Sequence, residues 1–352
     1  MKKRVLAFVL VIAMMTVLVL AGCASDSKEE PGESGNKQEK QEEEAEGELT
    51  DVSFRLNYTA DGLHAPFYYA LEKGYYEDVG LNVTIGEGNG AGTTAKLVGT
   101  GDADIGFTDS ASVASAIAEG IPVKIVCPIY AVNAFGAIAL KDSGIETMKD
   151  LEGKRVGIAT GDGPSNLFAA AAAANDIDVN KVEFVSMDAN SKETSLMKGD
   201  VDAILAGCDS DAVALECNGY EVNAMRYSEC GAATVGLSLV ANPDFIAENS
   251  EIIEKFISAT LKGWDECRTN SEEAVKIFMK NFPTADENVV KGSLAVALDS
   301  LFDKDAKTLA GLTEEDWNNC RDLLVTYLGV DESIQAEDLY TFECLPEELP
   351  AR

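Results

Sequence analysis

The chain has a single histidine in 352 residues. This residue, His64, follows closely on Asn57, Tyr58 and Asp61. An amide, a phenol, a carboxylate and an imidazole this close together supply hydrogen-bond donors, acceptors and an aromatic face. Comparable sets recur downstream: Asn89 with Thr93 and Thr94, then Asp109, Tyr130 near Asn133, Asp162 with Ser165 and Asn166, Asp209, and finally Glu229. None of them forms a catalytic constellation. No serine or cysteine has a base at an identifiable spacing, and the histidine has no sequence-evident partner. Leaving Cys23 aside, the cysteines (Cys127, Cys208, Cys217, Cys230, Cys267, Cys320 and Cys344) show no C-x-x-C spacing. No second histidine completes a Cys/His zinc site, so neither metal nor cofactor is expected. Being odd in number, these thiols leave at least one unpaired. The chemistry that remains is recognition: hydrogen bonds and ring faces around a small molecule.

Each polar set falls where a strand-like run gives way to helical periodicity. Val52 to Tyr58 is rich in β-formers, and beyond Asp61 and Gly62 the residues Phe67, Tyr68, Leu71 and Tyr75 trace one face of a helix. Leu81 to Ile85 alternates as a strand and ends in a glycine-rich run before a helix from Ala95. That run lacks the Gly-Lys-Ser/Thr ending of a phosphate loop, so nucleotide binding has no support. Ala103 to Thr108 leads through Asp109, a natural helix cap, into a helix over 111–117. Further strands are expected at Val123–Tyr130, Phe135–Leu140, Val156–Ala159, Val182–Met187, Val201–Ala206, Glu221–Tyr227 and Thr234–Val240. An alanine-rich helix runs to Ala174 and another covers Glu193–Lys198. After Asn242-Pro243 helices take over, at Ile246–Arg268, Glu272–Phe282 and onward to about Leu328.

Alternation followed by helices fits two α/β lobes, with ligands held at the carboxyl ends of the strands. Crossings between lobes are expected near Leu140–Asp142 and Leu239–Asn242. Residues 51–140 would then form the first lobe, 141–240 the second, and 241–345 a return to the first with the C-terminal helices.

Residues 1–22 have a basic start (Lys2, Lys3, Arg4), an apolar run and a small-residue end, the layout of a secretory signal. The ending Leu20-Ala21-Gly22-Cys23 resembles the bacterial lipoprotein cleavage box. That resemblance implies a lipidated Cys23 and a protein held outside the cytoplasm on the bacterial cell membrane, since multiple acyl chains anchor stably. Residues 23–50 are acidic and low in complexity, a flexible linker. The formal charge is −33, or −36 without the three basic residues of the signal. A body this acidic excludes nucleic acid as a partner, because phosphate binding needs clustered Lys and Arg.

Asn57-Tyr58-x5-His64-Ala65-Pro66-Phe67-Tyr68-x-Ala70-x2-Lys73-Gly74-Tyr75-Tyr76-x3-Gly80-Leu81-x-Val83 resembles the opening signature of ABC-transporter solute-binding proteins. The branch is that of thiamine-pyrimidine-precursor, riboflavin, sulfonate and nitrate binders. Gly99-x-Gly101-x-Ala103-Asp104-x-Gly106, Gly120-Ile121-Pro122-Val123-Lys124, Asp150-Leu151-x-Gly153-Lys154-x-Val156-Gly157, Gly199-x-Val201-Asp202-Ala203 and Phe256-x2-Ala259-x4-Trp264 extend the likeness over roughly residues 51–280. It implies a class II periplasmic-binding-protein fold: two α/β lobes joined by a two-strand hinge, with the ligand cleft between them. It also implies a monomer that delivers cargo to a membrane permease and its ATPase, and no catalysis. Fold-related thiamine pyrimidine synthases share the opening signature, but their cysteine-rich CCCFC iron motif is absent from this sequence.

The cleft loops then supply Asn57, Tyr58, Asp61, His64, Asn89, Thr93, Thr94, Asp109, Tyr130, Asp162, Ser165, Asn166, Asp209 and Glu229. They are expected to hold no lysine or arginine. Sulfonate or nitrate is best gripped by such cations, whereas acidic acceptors and aromatic walls suit a ring bearing N–H donors. The expected ligand is a nitrogen heterocycle, aminopyrimidine-like or flavin-like. Tyr58 or Tyr130 would stack on the ring, Asp109, Glu229 or Asn57 would read its edge, and His64 would bond a substituent or brace the loop. A sulfonate or nitrate importer is the first alternative, a synthase-like enzyme the second.

Overall fold

The computed structural model describes residues 49–302 and 306–352. The signal segment, Cys23 and nearly all of the expected linker lie outside them. Ten strands form two five-stranded sheets. They are β1 (Thr50–Arg55), β2 (Leu81–Gly86), β3 (Ile105–Asp109), β4 (Lys124–Pro128), β5 (Phe135–Leu140), β6 (Arg155–Ile158), β7 (Glu183–Ser186), β8 (Ala203–Gly207), β9 (Val222–Arg226) and β10 (Leu237–Ala241). One sheet has the order β2-β1-β3-β10-β4, the other β7-β6-β8-β5-β9. In each, parallel strands joined by helices meet one strand running the other way: β10 is antiparallel to β3 and β4, and β5 to β8 and β9.

Two crossings link the sheets, as expected, but both come earlier in the chain. β5 already belongs to the second sheet and β10 is back in the first, so the chain crosses over residues 129–134 and 227–236 rather than at 140–142 and 239–242. The reason is that β5 is apolar throughout, β10 in all but Ser238, and both are nearly fully buried; a buried strand reads the same from either lobe. The crossing segments lie side by side. Tyr130 accepts from the Gly236 N–H at 3.1 Å, and the Asn133 N–H donates to Thr234 at 2.9 Å.

The first lobe is held by an aromatic cluster. Phe67, on the helix Ala65–Glu72, meets Phe54 of β1 at 4.9 Å, Phe107 of β3 at 4.9 Å and Trp264 at 5.5 Å between ring centroids. Trp264 lies on the long helix Pro243–Cys267. That helix comes close because Gly263 faces Pro66 and Ala70; a Cβ there would stand 2.8 Å from the Ala70 Cβ. The helices Pro243–Cys267, Ser271–Asn281 and Glu287–Asp299 thus return to the first lobe. The helix Glu314–Leu328 differs: Trp317, Cys320 and Leu324 pack into the first lobe, while Leu323 and Tyr327 pack against the second. All seven described cysteines are free. Among the described residues no helix is long and apolar enough to cross a membrane.

Candidate ligand-binding site

A cavity of about 290 Å³ opens between the two sheets, at the strand–helix junctions. From the first lobe it is walled by Asn57, Tyr58, Asp61 and Asp109, from the second by Phe135, Asp162, Lys192, Glu193, Asp209 and Asp211, and at the crossing by Tyr130 and Asn133.

Helix starts position the carboxylates. Asp61 ends the loop after β1 and accepts from the Leu63 N–H at 3.0 Å. Asp109 closes β3 and caps Ser110–Ala118, with Ser112 donating its N–H at 2.9 Å and its hydroxyl at 2.8 Å. Asp162 caps Gly163–Ala174 through the Ser165 N–H at 2.9 Å, and Asp211 accepts from the Gly207 N–H at 2.9 Å. Aspartate at an N-cap satisfies a donor that would otherwise be orphaned. Capping therefore aims Asp61, Asp109 and Asp162 at the cavity, while Asp211, the first residue of its helix, is held there by the end of β8.

His64 is fully buried and does not line the cavity. Its Nδ1 accepts from the Asp61 N–H at 3.1 Å, which leaves Nε2 to donate to Asn57 Oδ1 at 2.8 Å. Asp61 Oδ1 also lies 3.2 Å from Nδ1. The imidazole braces the loop from behind the cavity wall. The glycine-rich run serves the same loop: the Gly88 and Gly90 N–H groups donate to Tyr58 and Asn57, each at 2.9 Å. A Cβ on Gly88 would stand 2.1 Å from the Leu56 carbonyl oxygen, so only glycine fits.

The other expected residues fall outside the wall. Asn89, Thr93 and Glu229 are exposed. Thr94 is buried and donates its hydroxyl to the Leu56 carbonyl at 2.7 Å. Ser165 and Asn166 follow their Asp162 cap into the helix; Asn166 reaches Ser115 Oγ of the other lobe at 3.5 Å.

The expectation of a cleft free of lysine is overturned. Lys192 lines the cavity, nearly fully buried, and donates to Asp162 Oδ2 and to the Leu205 carbonyl, each at 2.9 Å. It opens the helix Lys192–Lys198, one residue earlier than periodicity places that helix, and this turns its side chain inward. Asn190, Ser210 and Asp211 were also missed, Asp211 although it follows Asp209 by two residues.

The electrostatics are those of crowded carboxylates. Burial first, then Asp61 and Asp211, push Asp209 up to about 7. Burial, then Asp211 and Asp61 against the opposing Lys192, take Glu193 to about 7. Burial also raises Asp109, against the bonds from Ser112. For Lys192 burial pulls the ammonium down, but Asp211, Asp162 and Glu193 outweigh it and the net shift is upward.

Across the cavity the lobes touch. The Tyr58 hydroxyl donates to Asn190 Oδ1 at 2.5 Å. A Cβ on Gly163 of the second lobe would stand 2.8 Å from Asp109 Oδ2 of the first.

A two-sheet α/β chain with a cavity at the junctions has the fold of periplasmic binding proteins. The periplasmic aliphatic sulphonate-binding protein SsuA from Escherichia coli matches it with a TM-score of 0.65 at 16% identity, over 82% of this chain and 96% of that one. Within that fold, this chain belongs to the NMT1/THI5-like family, whose model matches residues 62–274. It is similar to the riboflavin-binding protein RibY of Chloroflexus aurantiacus, 24% identical over 81% of this chain and 80% of the relative. It is similar also to the formylaminopyrimidine-binding protein of Halalkalibacterium halodurans, 21% identical over 95% of this chain and 98% of the relative. A third relative is the 4-amino-5-hydroxymethyl-2-methylpyrimidine phosphate synthase of Aspergillus parasiticus, 26% identical over 61% of this chain and 66% of that enzyme.

Proposed function

We propose that this protein is the extracytoplasmic solute-binding component of an ABC importer, held on the membrane by a lipid on Cys23, and that it captures a small nitrogen heterocycle. The cargo class is that of thiamine pyrimidine precursors or riboflavin. One observation carries this reading: the cavity offers six carboxylates, amides and aromatic rings, and its one ammonium is already paired with Asp162. Such a wall accepts N–H donors and repels anions, which sets sulfonate and nitrate second. The names of RibY and the formylaminopyrimidine-binding protein point the same way. The cavity wall includes no cysteine, and the synthases' cysteine-rich motif is missing from the sequence, so a binding role is favoured over a synthase.

The paired crossing segments serve as the hinge of a class II binding protein. Ligand bridging both lobes shifts the open–closed equilibrium by its differential affinity for the closed form, and a permease reads the closed shape. The test is native mass spectrometry of the protein purified without added ligand, followed by thermal shift with pyrimidines, flavins, sulfonates and nitrate. A ligand of the folded state raises stability by mass action. Stabilisation by a pyrimidine or flavin is expected; stabilisation by sulfonate or nitrate alone would overturn the cargo class.

A further inference from the structure

We propose that the ligand is a cation, a nitrogen heterocycle carrying a positive charge, and that this charge is what lets the two lobes close on each other. The inference rests on the heterocycle-binding reading above and narrows it to one charge state.

The carboxylates come from opposite sides of the cleft. Asp61 and Asp109 belong to the first lobe; Asp162, Glu193, Asp209 and Asp211 belong to the second. Asp61 is close enough to disfavour ionisation of Asp209 and Glu193 across the gap. Closure therefore gathers like charges, and like charges inside a dry cavity repel far more strongly than in water. Lys192 cannot relieve this alone, since it is held at 2.9 Å by Asp162. Asp61, Asp109, Asp162 and Asp211 each accept a backbone N–H. Asp209 and Glu193 cap no helix and, among the described residues, form no ion pair. They are the two carboxylates without a cation that a charged cargo would meet, Asp209 with the Tyr130 hydroxyl beside it.

A second feature points to a ligand at the same spot. Tyr130 is fully buried and lines the cavity with its hydroxyl turned toward Asp209, and that contact falls short of a hydrogen bond of ordinary geometry. An unmade buried hydrogen bond is costly; a donor-bearing ring placed against Asp209 would meet this hydroxyl as well. A bare metal ion is not the cargo the geometry favours: among the described residues no group of three His, Cys, Asp or Glu side chains is placed to hold one.

The test uses two nearly isosteric probes on the full chain in detergent, by titration calorimetry at neutral pH. 4-Aminopyridine is protonated there and 4-aminopyrimidine is neutral. The cationic probe is expected to bind about tenfold tighter, the gain of charge-assisted over neutral hydrogen bonding. Asp209→Asn is expected to bring the ratio of the two affinities to about one, whatever it does to either affinity alone. If that variant does not fold, Glu193→Gln, at a half-buried position, carries the same test. Equal binding, tighter binding of the neutral probe, or binding of flavins alone would overturn the charge assignment and leave the heterocycle reading standing. Binding of methanesulfonate with neither heterocycle would overturn both. Binding of calcium or zinc ions with neither heterocycle would overturn the organic cation.

Discussion

Lys192→Met tests whether the cavity's one ammonium is structural. Methionine matches the lysine stem in length and apolar packing, so the change isolates the charge. It leaves Asp162 without its cation and the Leu205 carbonyl without that donor, two contacts of 2.9 Å in a side chain only 5% exposed. Removing one member of a buried pair costs about 3–5 kcal/mol, because the partner's charge stays buried. Asp162 is 15% exposed and keeps the Ser165 N–H, so the lower end, about 3 kcal/mol, is expected. With a urea m-value of roughly 3 kcal/mol/M for a chain of this size, the unfolding midpoint should fall by about 1 M. Urea unfolding followed by circular dichroism reads this directly. The double variant Lys192→Met/Asp162→Asn should recover most of the loss, since it removes the stranded charge together with its partner. A single variant within about 0.5 kcal/mol of the parent, or strict additivity of the two changes, would refute a buried ion pair.

Other outcomes follow from the same geometry. Asp209 and Glu193 are both raised to about 7, so between the ordinary carboxylate range and that value the folded state holds more protons than the unfolded one. Stability of the ligand-free protein should therefore rise as pH falls from about 8 to about 5.5, the reverse of the usual carboxylate effect; a Tm that is flat or falling over that window would contradict it. Gly163→Ala places a methyl 2.5 Å from the Phe135 ring of its own lobe and 2.8 Å from Asp109 of the other. Affinity should drop about tenfold or more, and small-angle scattering with saturating ligand should keep the dimensions of the open form; unaltered binding would show that the lobes do not meet there. Tyr58→Phe removes the 2.5 Å bond to Asn190 and should weaken binding about fivefold, one hydrogen bond's net worth; unchanged affinity in calorimetry would deny it a part in closure. His64→Ala loses both loop-bracing bonds and the edge contact with Phe107. It should cost about 3 kcal/mol in urea unfolding, the sum of two bonds and a small void; a cost below about 1 kcal/mol would mean the loop does not depend on its brace.

What was legible in the sequence is what local chemistry determines. β5 was placed to the residue, and Asp61, Asp109 and Asp162 reach the cavity because an N-cap must stand between a strand end and a helix start. Their neighbours misled because a polar residue's type near a junction does not say which way it turns: Thr94 turns its hydroxyl to Leu56 and Asn89 and Thr93 stay in solvent, whereas Asp209, Ser210 and Asp211 of one junction all line the cavity. Lys192 was hidden for a different reason. A lysine at the head of an amphipathic helix reads as surface, and only the juxtaposition of Asp162, thirty residues earlier, makes burial tolerable. The lobe crossings were displaced because sheet membership is a long-range property, and the apolar runs of β5 and β10 carry no mark of which sheet will receive them.

The placement of β10 has a consequence for how the chain acquires its structure. The second sheet draws all its strands from one continuous segment, residues 135–226, whereas the first needs β10 from residues 237–241 to fill the gap between β3 and β4. As the chain emerges from a ribosome or a membrane pore, the later-made lobe can finish its pairing while the earlier-made one waits. Until Leu237 arrives, β3 has an unpaired edge of buried-type residues, Ile105 to Asp109, and such edges pair readily with foreign strands. Non-local pairing of this kind is slow. The interval between synthesis of β4 and of β10 is therefore when this protein is most exposed to aggregation and most in need of a chaperone, and a truncation before residue 237 would prolong that state indefinitely.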